Sequence, residues 1–425
     1  MSGIYSTIVA GVDWFVALGP SVMIAIVLTV LGTAFGAGFS KSLRGGIITG
    51  VGLAGLFLVV DLIVAALLPA INAMAENFNL QLRLVDVGWA DAGIAWGWPG
   101  VAGVMLGIIA VNIIMVLLKL TKTLWTDVWS YWHGQVCGAF VWVVTGSVTL
   151  GIIAAIIYLV IGSLFSDITA KRYQEYNDMP GIGVPCGPTV LASVFAIPVS
   201  AALNKIPGIN KLNASPESIK ERFGVFGEVS VMGAIIGLII GLLAGYGVAG
   251  ALVLSMQVAA IMLILPRMVS IIAEGLIPIT MKVAEFVRER FKDRELHVGV
   301  DCAVLLGHSS VMASALILFP LSILLAAALP GNGMLPIASL ALIPFLAGAV
   351  VPFTRGNVIH TVIIVLLLLI PYLYAATNMS PVHTETYAQL GMFTEEIEGG
   401  ARFASWDMGG DPISWIINQI FRLFS

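Results

Sequence analysis

Blocks of about twenty apolar residues, each nearly free of charge, recur along the chain, and that is the length a helix needs to cross a hydrocarbon core of about 30 Å. They fall at 16 to 38, 46 to 70, 97 to 118, 131 to 147, 149 to 165, 229 to 247, 250 to 272, 309 to 329, 335 to 353 and 358 to 377. The pattern predicts an all-α polytopic membrane protein with about ten transmembrane helices. Lys and Arg gather between blocks, at Lys41/Arg44, Lys119/Lys122, Lys171/Arg172, Lys205 to Arg222 and Lys282 to Arg294. By the positive-inside rule those loops face the cytoplasm, which puts the N-terminus and the acidic stretch 378–425 outside.

Two stretches resemble each other. LLPAINAMAENFNLQLRLVDVGWADAGIAW (67–96) aligns with LIPITMKVAEFVRERFKDRELHVGVDCAVLLGHSS (276–310), setting Pro69 over Pro278 and Val85-Asp86 over Val300-Asp301. The segment before the aspartate holds Arg83 alone in the first copy, and Lys282, Arg288, Arg290, Lys292 and Arg294 in the second. Lys41/Arg44 and Lys119/Lys122 likewise have the chargeless ALVLSMQVAA and PGNG as counterparts. Opposite charge bias in equivalent loops marks an inverted-topology repeat, with a ligand site expected near the midplane between the copies. The expected organisation is a first membrane repeat (1–165), a cytoplasmic linker (166–228) carrying a re-entrant hairpin (179–208), a second, inverted repeat (229–377) and an acidic extracytoplasmic tail (378–425).

Composition agrees: 59% of the 425 residues are apolar and 10% charged, against about 45–50% and about 25% in soluble domains. The net charge of −4 says little about partners, because the charges are confined to a few loops; no nucleic-acid partner is expected. Cys137, Cys186 and Cys302 show neither CxxC spacing nor an even count, so neither a disulfide framework nor a zinc site is expected. The opening MSGIYSTIVAGVDW has no basic n-region or small-residue cleavage site, and no cleaved leader is expected. A Walker loop, HExxH, GxSxG and paired CxxC are all missing, which argues against catalytic residues, metals or cofactors in this chain.

Ionisable groups inside spans cost about 3 kcal/mol each on insertion scales and therefore need a partner or a function. Asp301 lies in HVGVDCAVLLGHSS, whose glycines permit unwinding, with His308 seven residues on and on the same helical face. Asp86 is its repeat counterpart. Both are candidate ligand contacts, or else caps of half-helices at their positive ends. Asp61 lies mid-span, and Glu274 lies four residues before Pro278, where a proline loosens the helix. Each could touch substrate or pair with a neighbour. The apolar stretch 179–208 is interrupted by Pro180, Pro185, Pro188 and Pro198 and bracketed by basic segments, as expected of a re-entrant hairpin whose tip, Val184-Pro185-Cys186-Gly187, lines a cavity. A surface amphipathic hairpin is the alternative. His133, in WTDVWSYWHGQVCGAF, is a further pocket candidate. The adjoining Trp125, Trp129 and Trp132 fit either a membrane-interface belt or a stacking surface for sugar.

Several of these blocks, taken in order, resemble the galactitol-type permease subunits of bacterial phosphoenolpyruvate-dependent phosphotransferase systems: Pro69 with AMAENF, VDVGW (85–89), WHG (132–134), the GxxxPxG turn (181–187), KIPG (205–208), RFGVFGE (222–228), LAGYG (243–247), VGVDCAVLLGH (298–308), PGN (330–332) and DMGGDPISW (407–415). The resemblance covers nearly the whole chain. It implies the ascorbate-galactitol superfamily fold, a homodimer in the bacterial inner membrane in which a scaffold holds a mobile core. It implies a pocket at Asp301, Cys186 and His133, with the stretch beginning at Asp86 and the span near Asp61 alongside. It also implies a polyol or related sugar as cargo and separate EIIB and EIIA subunits as partners, EIIB carrying the phosphoryl group. The family's hairpin tip usually bears histidine where this chain has Cys186, and relatives continue past the equivalent of IFRLFS into a further span and basic tail. An ion-coupled secondary transporter, with Asp61 or Glu274 shuttling a proton, is the competing expectation.

Overall fold

The computed structural model describes residues 18, 20–78, 83–127, 129–212, 224–290 and 296–424. The N-terminal stretch and the basic residues Lys220, Arg222, Lys292 and Arg294 lie outside them. The structure is helical, with each of the ten apolar blocks on a helix. By length and hydropathy alone, Val148–Asn177, Gly247–Ile264, Ser309–Ala328 and Val358–Gln389 suffice to cross a membrane. Gly88–Gly97 and Val101–Leu117 form a helix pair bent by 90°, the shape of a broken span or a re-entrant loop, with Pro99 at the break.

One order of elements occurs twice, in Pro20–Leu203 and again in Val229–Phe421. Each copy opens with a short helix followed by a very long one (Pro20–Ala34 and Phe39–Phe78; Val229–Leu243 and Gly247–Arg290). A three-residue strand and a broken helical stretch come next: β1 (Leu84–Asp86) leading to Val101–Leu117 in one copy, and a strand at His297–Gly299 leading to Ser309–Ala328 in the other. A short inner helix (Trp132–Thr145; Ile343–Thr354) precedes a long outer one (Val148–Asn177; Val358–Gln389). The chain then turns inward through a short strand and leaves on a proline-started helix (Gly187–Leu203; Pro412–Phe421). Five of the apolar blocks expected from sequence fall in each copy, the odd number that an inverted repeat requires.

With the remaining strands β2 (Thr123–Trp125), β3 (Ile182–Gly183), β4 (His297–Gly299) and β5 (Arg402–Ala404), two small parallel sheets result, and both join the copies. β1 of the first copy pairs with β5 of the second, and Leu84 also bridges Met334. β4 of the second copy pairs with β2 and β3 of the first. Backbone that leaves the helical state inside a membrane must find partners within the protein, and these exchanged ladders supply them.

The four helices at the two openings pack on one another through small residues. Gly233, Gly237 and Gly241, one helical turn apart, lie against Ala259, Ser255 and Ala251 of Gly247–Arg290. Gly45 and Gly275 are so close that a Cβ on Gly275 would sit 2.4 Å from the Gly45 carbonyl oxygen. Close backbone approach of this kind holds helices together in lipid, where the hydrophobic effect gives no drive. At 40 and 44 residues the long helices would run about 60 Å or more, twice the hydrocarbon thickness. The other helices form a second group, packed chiefly among themselves, and the exchanged sheets lie within it.

Candidate functional site

The two inward turns converge between the copies. In the first, Cys186 is the N-cap residue of Gly187–Leu203, with a proline in the opening turn. In the second, Asp411 caps Pro412–Phe421, accepting bonds from the amides of Ile413 and Ser414. Both tips are buried. Gly187 is required by contact: a Cβ there would lie 2.9 Å from His133 Cγ and 2.5 Å from the Tyr158 hydroxyl. The hairpin tip therefore rests directly on the histidine of the WHG helix, and His133 lies within hydrogen-bonding reach of Cys186.

Three of the residues expected from sequence, Cys186, Asp301 and His133, come together here. Cys186, Asp301 and the adjoining Cys302 have ligand atoms within 4.8 Å of one another, with the two sulfurs 3.4 Å apart. Asp301 follows β4 where the chain is unwound, and its Oδ2 is 3.4 Å from Ser130 Oγ. Ser130 also donates a short bond to Asp127, a fully buried carboxylate that further accepts from the Trp129 amide at 3.1 Å. On the other side of His133, Nε2 is 3.4 Å from Asp407 Oδ1, and the second carboxylate oxygen accepts from Trp89 Nε1 at 3.1 Å. Asp407 thus links the second tip to two elements of the first copy.

Asp86 is built in the same way as Asp301 but is more deeply buried. It ends β1 as Asp301 follows β4, and its partner Ser339 lies in the short turn before an inner helix as Ser130 does. Its two oxygens accept from Ser339 Oγ (2.6 Å), the Ser339 amide (2.7 Å) and the Gly88 amide (3.1 Å), and the residue is 1% exposed. Asp301, by contrast, is half-buried, and its serine contact is longer.

The remaining candidates lie elsewhere. His308 caps Ser309–Ala328 and faces the Tyr176 hydroxyl at 3.1 Å. Glu274 is exposed on the long helix Gly247–Arg290. Asp61 sits on Phe39–Phe78, and its side chain lies outside the described residues. The tryptophans do not form an interfacial belt. Trp89, Trp96, Trp129 and Trp132 are buried and packed together, with Trp129 and Trp132 4.5 Å apart between ring centroids. Trp132 Nε1 and the Tyr158 hydroxyl, both flanking His133, have no hydrogen-bond partner among the described residues.

Asp127, Ser130 and Asp407 did not emerge from sequence reasoning. Asp127 stands among tryptophans that drew attention first. Asp407 stands in a run of acidic residues, where the glycines and proline of DMGGDP, resembling GVPCGP at the first tip, were the available signal.

A polytopic helical fold with an exchanged double repeat and a polar site between two inward turns defines a membrane permease. The family described as "PTS system sugar-specific permease component" matches residues 14–396, and the chain belongs to that family. It is therefore a multi-pass inner-membrane protein of the sugar phosphotransferase type. It is 36% identical over 405 residues to the "PTS system galactitol-specific EIIC component" of Escherichia coli (strain K12), covering 95% of this chain and 89% of that protein. It is 33% identical over 418 residues to a "Putative permease IIC component" of the same strain, covering 97% and 94%.

Proposed function

We propose that this protein is the galactitol-type permease subunit of a phosphotransferase system, binding a polyol between the two inward turns and presenting it to a separate EIIB subunit for phosphorylation. The observation that supports the site best is the difference in burial between its two aspartate–serine pairs: Asp86 is 1% exposed, while Asp301 is half-buried and clustered with Cys186. A hexitol hydroxyl both donates and accepts, so it suits a pocket where a carboxylate accepts while an imidazole, an indole N–H and a phenol donate. Asp301 would accept, and His133, Trp132 and Tyr158 would donate. A polyol lacking one hydroxyl would strand one of these groups at a cost of about 1 to 3 kcal/mol, which is the basis of discrimination. Cys186, in place of the family's usual tip histidine, favours a cargo that needs one strong donor fewer at that point.

In this reading the glycine-packed long helices are the scaffold of a homodimer, and the group containing both tips carries the cargo in an elevator-like movement. The N-terminus lies outside the cell. Asp86 pins the structure, and Asp61, Glu274 and His308 bear on movement or packing rather than on the sugar.

The test is transport by purified protein in vesicles. Alone, it should only equilibrate or exchange the polyol. With matching EIIA and EIIB and a phosphoryl donor inside, polyol phosphate should accumulate. Uphill accumulation of unmodified polyol on a proton or sodium gradient would overturn the assignment in favour of an ion-coupled transporter.

A further inference from the structure

Cys186 and Cys302 are separated by 116 residues, and no spacing rule connects them. Yet the fold places their sulfurs 3.4 Å apart, both buried, with the Asp301 carboxylate in the same cluster. We infer that Cys186, Cys302 and Asp301 form a binding site for a thiophilic divalent cation of the zinc class.

The geometry is close to what such an ion requires. Tetrahedral zinc with Zn–S bonds of about 2.3 Å holds its two sulfurs about 3.8 Å apart, so the thiols need only open by about 0.4 Å. Two thiolates and one carboxylate form a soft, anionic donor set that favours zinc or cadmium over magnesium or calcium. Three protein ligands leave the fourth position to a water or a hydroxyl. Each metal–sulfur bond replaces a thiol proton, which leaves to solvent, so affinity rises with pH.

The three ligands belong to different parts of the molecule. Cys186 is at the first hairpin tip, while Asp301 and Cys302 follow β4 in the second copy. A bound ion would clamp the tip to the unwound segment and occupy the carboxylate assigned to the sugar. It would act as an inhibitor that competes with the polyol. That competition, though not the metal chemistry, rests on the sugar lying at Asp301.

Titration of the reduced, purified protein with Cd2+ tests the inference through the thiolate-to-cadmium charge-transfer band in the ultraviolet. The band should saturate at one ion per chain and protect Cys186 and Cys302, but not Cys137, from alkylation read by mass spectrometry. Cys302→Ala and Cys186→Ala should abolish it, Cys137→Ala should leave it intact, and Asp301→Asn should weaken binding by at least about tenfold. Absence of the band in wild-type protein, equal alkylation of all three cysteines with and without Cd2+, or an unchanged band in Cys302→Ala overturns the site. The wild-type alkylation pattern decides the matter even if an alanine variant does not fold. A band that forms normally but is indifferent to hexitol would uphold the metal site and remove the sugar from Asp301.

Discussion

Replacing Asp407 with alanine removes the acceptor of both Trp89 Nε1 (3.1 Å) and His133 Nε2 (3.4 Å), in a region where all three residues are at most 3% exposed. The stranded indole N–H should cost about 1 to 3 kcal/mol, and the longer histidine contact about 1 kcal/mol more. The expected loss of core stability is therefore about 2 to 4 kcal/mol. Asp407→Asn keeps an oxygen for Trp89 and should lose less. The effect reaches binding because His133 rests under the hairpin tip and would no longer be held in one rotamer. Ordering a side chain costs about 0.5 to 1.5 kcal/mol, so polyol affinity should fall about 2- to 10-fold. Melting in detergent should rank wild type above Asn above Ala, and a double-mutant cycle of Asp407→Ala with His133→Ala, read by calorimetric polyol binding, should show coupling of about 0.5 kcal/mol or more. Variants that melt with wild type and whose binding losses simply add would show that Asp407 does not position His133.

Gly409 has φ +75°, and a Cβ there would lie 2.3 Å from Phe140 Cε2, so Gly409→Ala should destabilise by about 2 to 5 kcal/mol from left-handed strain and overpacking together. Adding Phe140→Ala should recover part of the lost melting temperature, and no recovery would mean the clash is not the cause. Asp301→Asn should abolish polyol binding and stay a folded, monodisperse protein; near-normal affinity would take Asp301 out of the pocket. Asp86→Asn should instead lower the melting temperature more than the affinity, and the reverse order would mean that the Ser339 bonds do not define its role. In a cysteine-free background, single cysteines near Lys41 and Arg288 should react only from the cytoplasm and one near Glu396 only from outside, with cytoplasmic labelling near Glu396 reversing the orientation.

What the sequence revealed follows from the size of the forces involved. Apolar blocks and basic loops are dictated by transfer energies of several kcal/mol, so spans, the double repeat and the unwound stretch at Asp301 are legible residue by residue. Strands of two or three residues are too short for any period, so β1 to β5 and their exchange could not be read. Nor could the burial of Asp407 and Asp411: an acidic run is solvated unless partners remove the cost of burying it, and for Asp407 those partners, Trp89 and His133, are 318 and 274 residues away. The approach of Cys186 to Cys302, 116 residues on, was hidden in the same manner. The hairpin tip was visible because four prolines in an apolar segment admit few other structures.

The exchanged sheets also bear on how the chain is made. While the first copy is being inserted, β1 has no ladder to join, because its partners at Met334 and Arg402–Ala404 have yet to leave the ribosome. β2 and β3 wait in the same way for β4. Half of the molecule thus enters the bilayer with open backbone edges; β2 and β3 close once β4 follows, and β1 only near the end of synthesis. Release of the nascent chain and completion of the site become nearly one event, and a product cut short before residue 402 would present an unfilled strand edge to membrane chaperones and proteases.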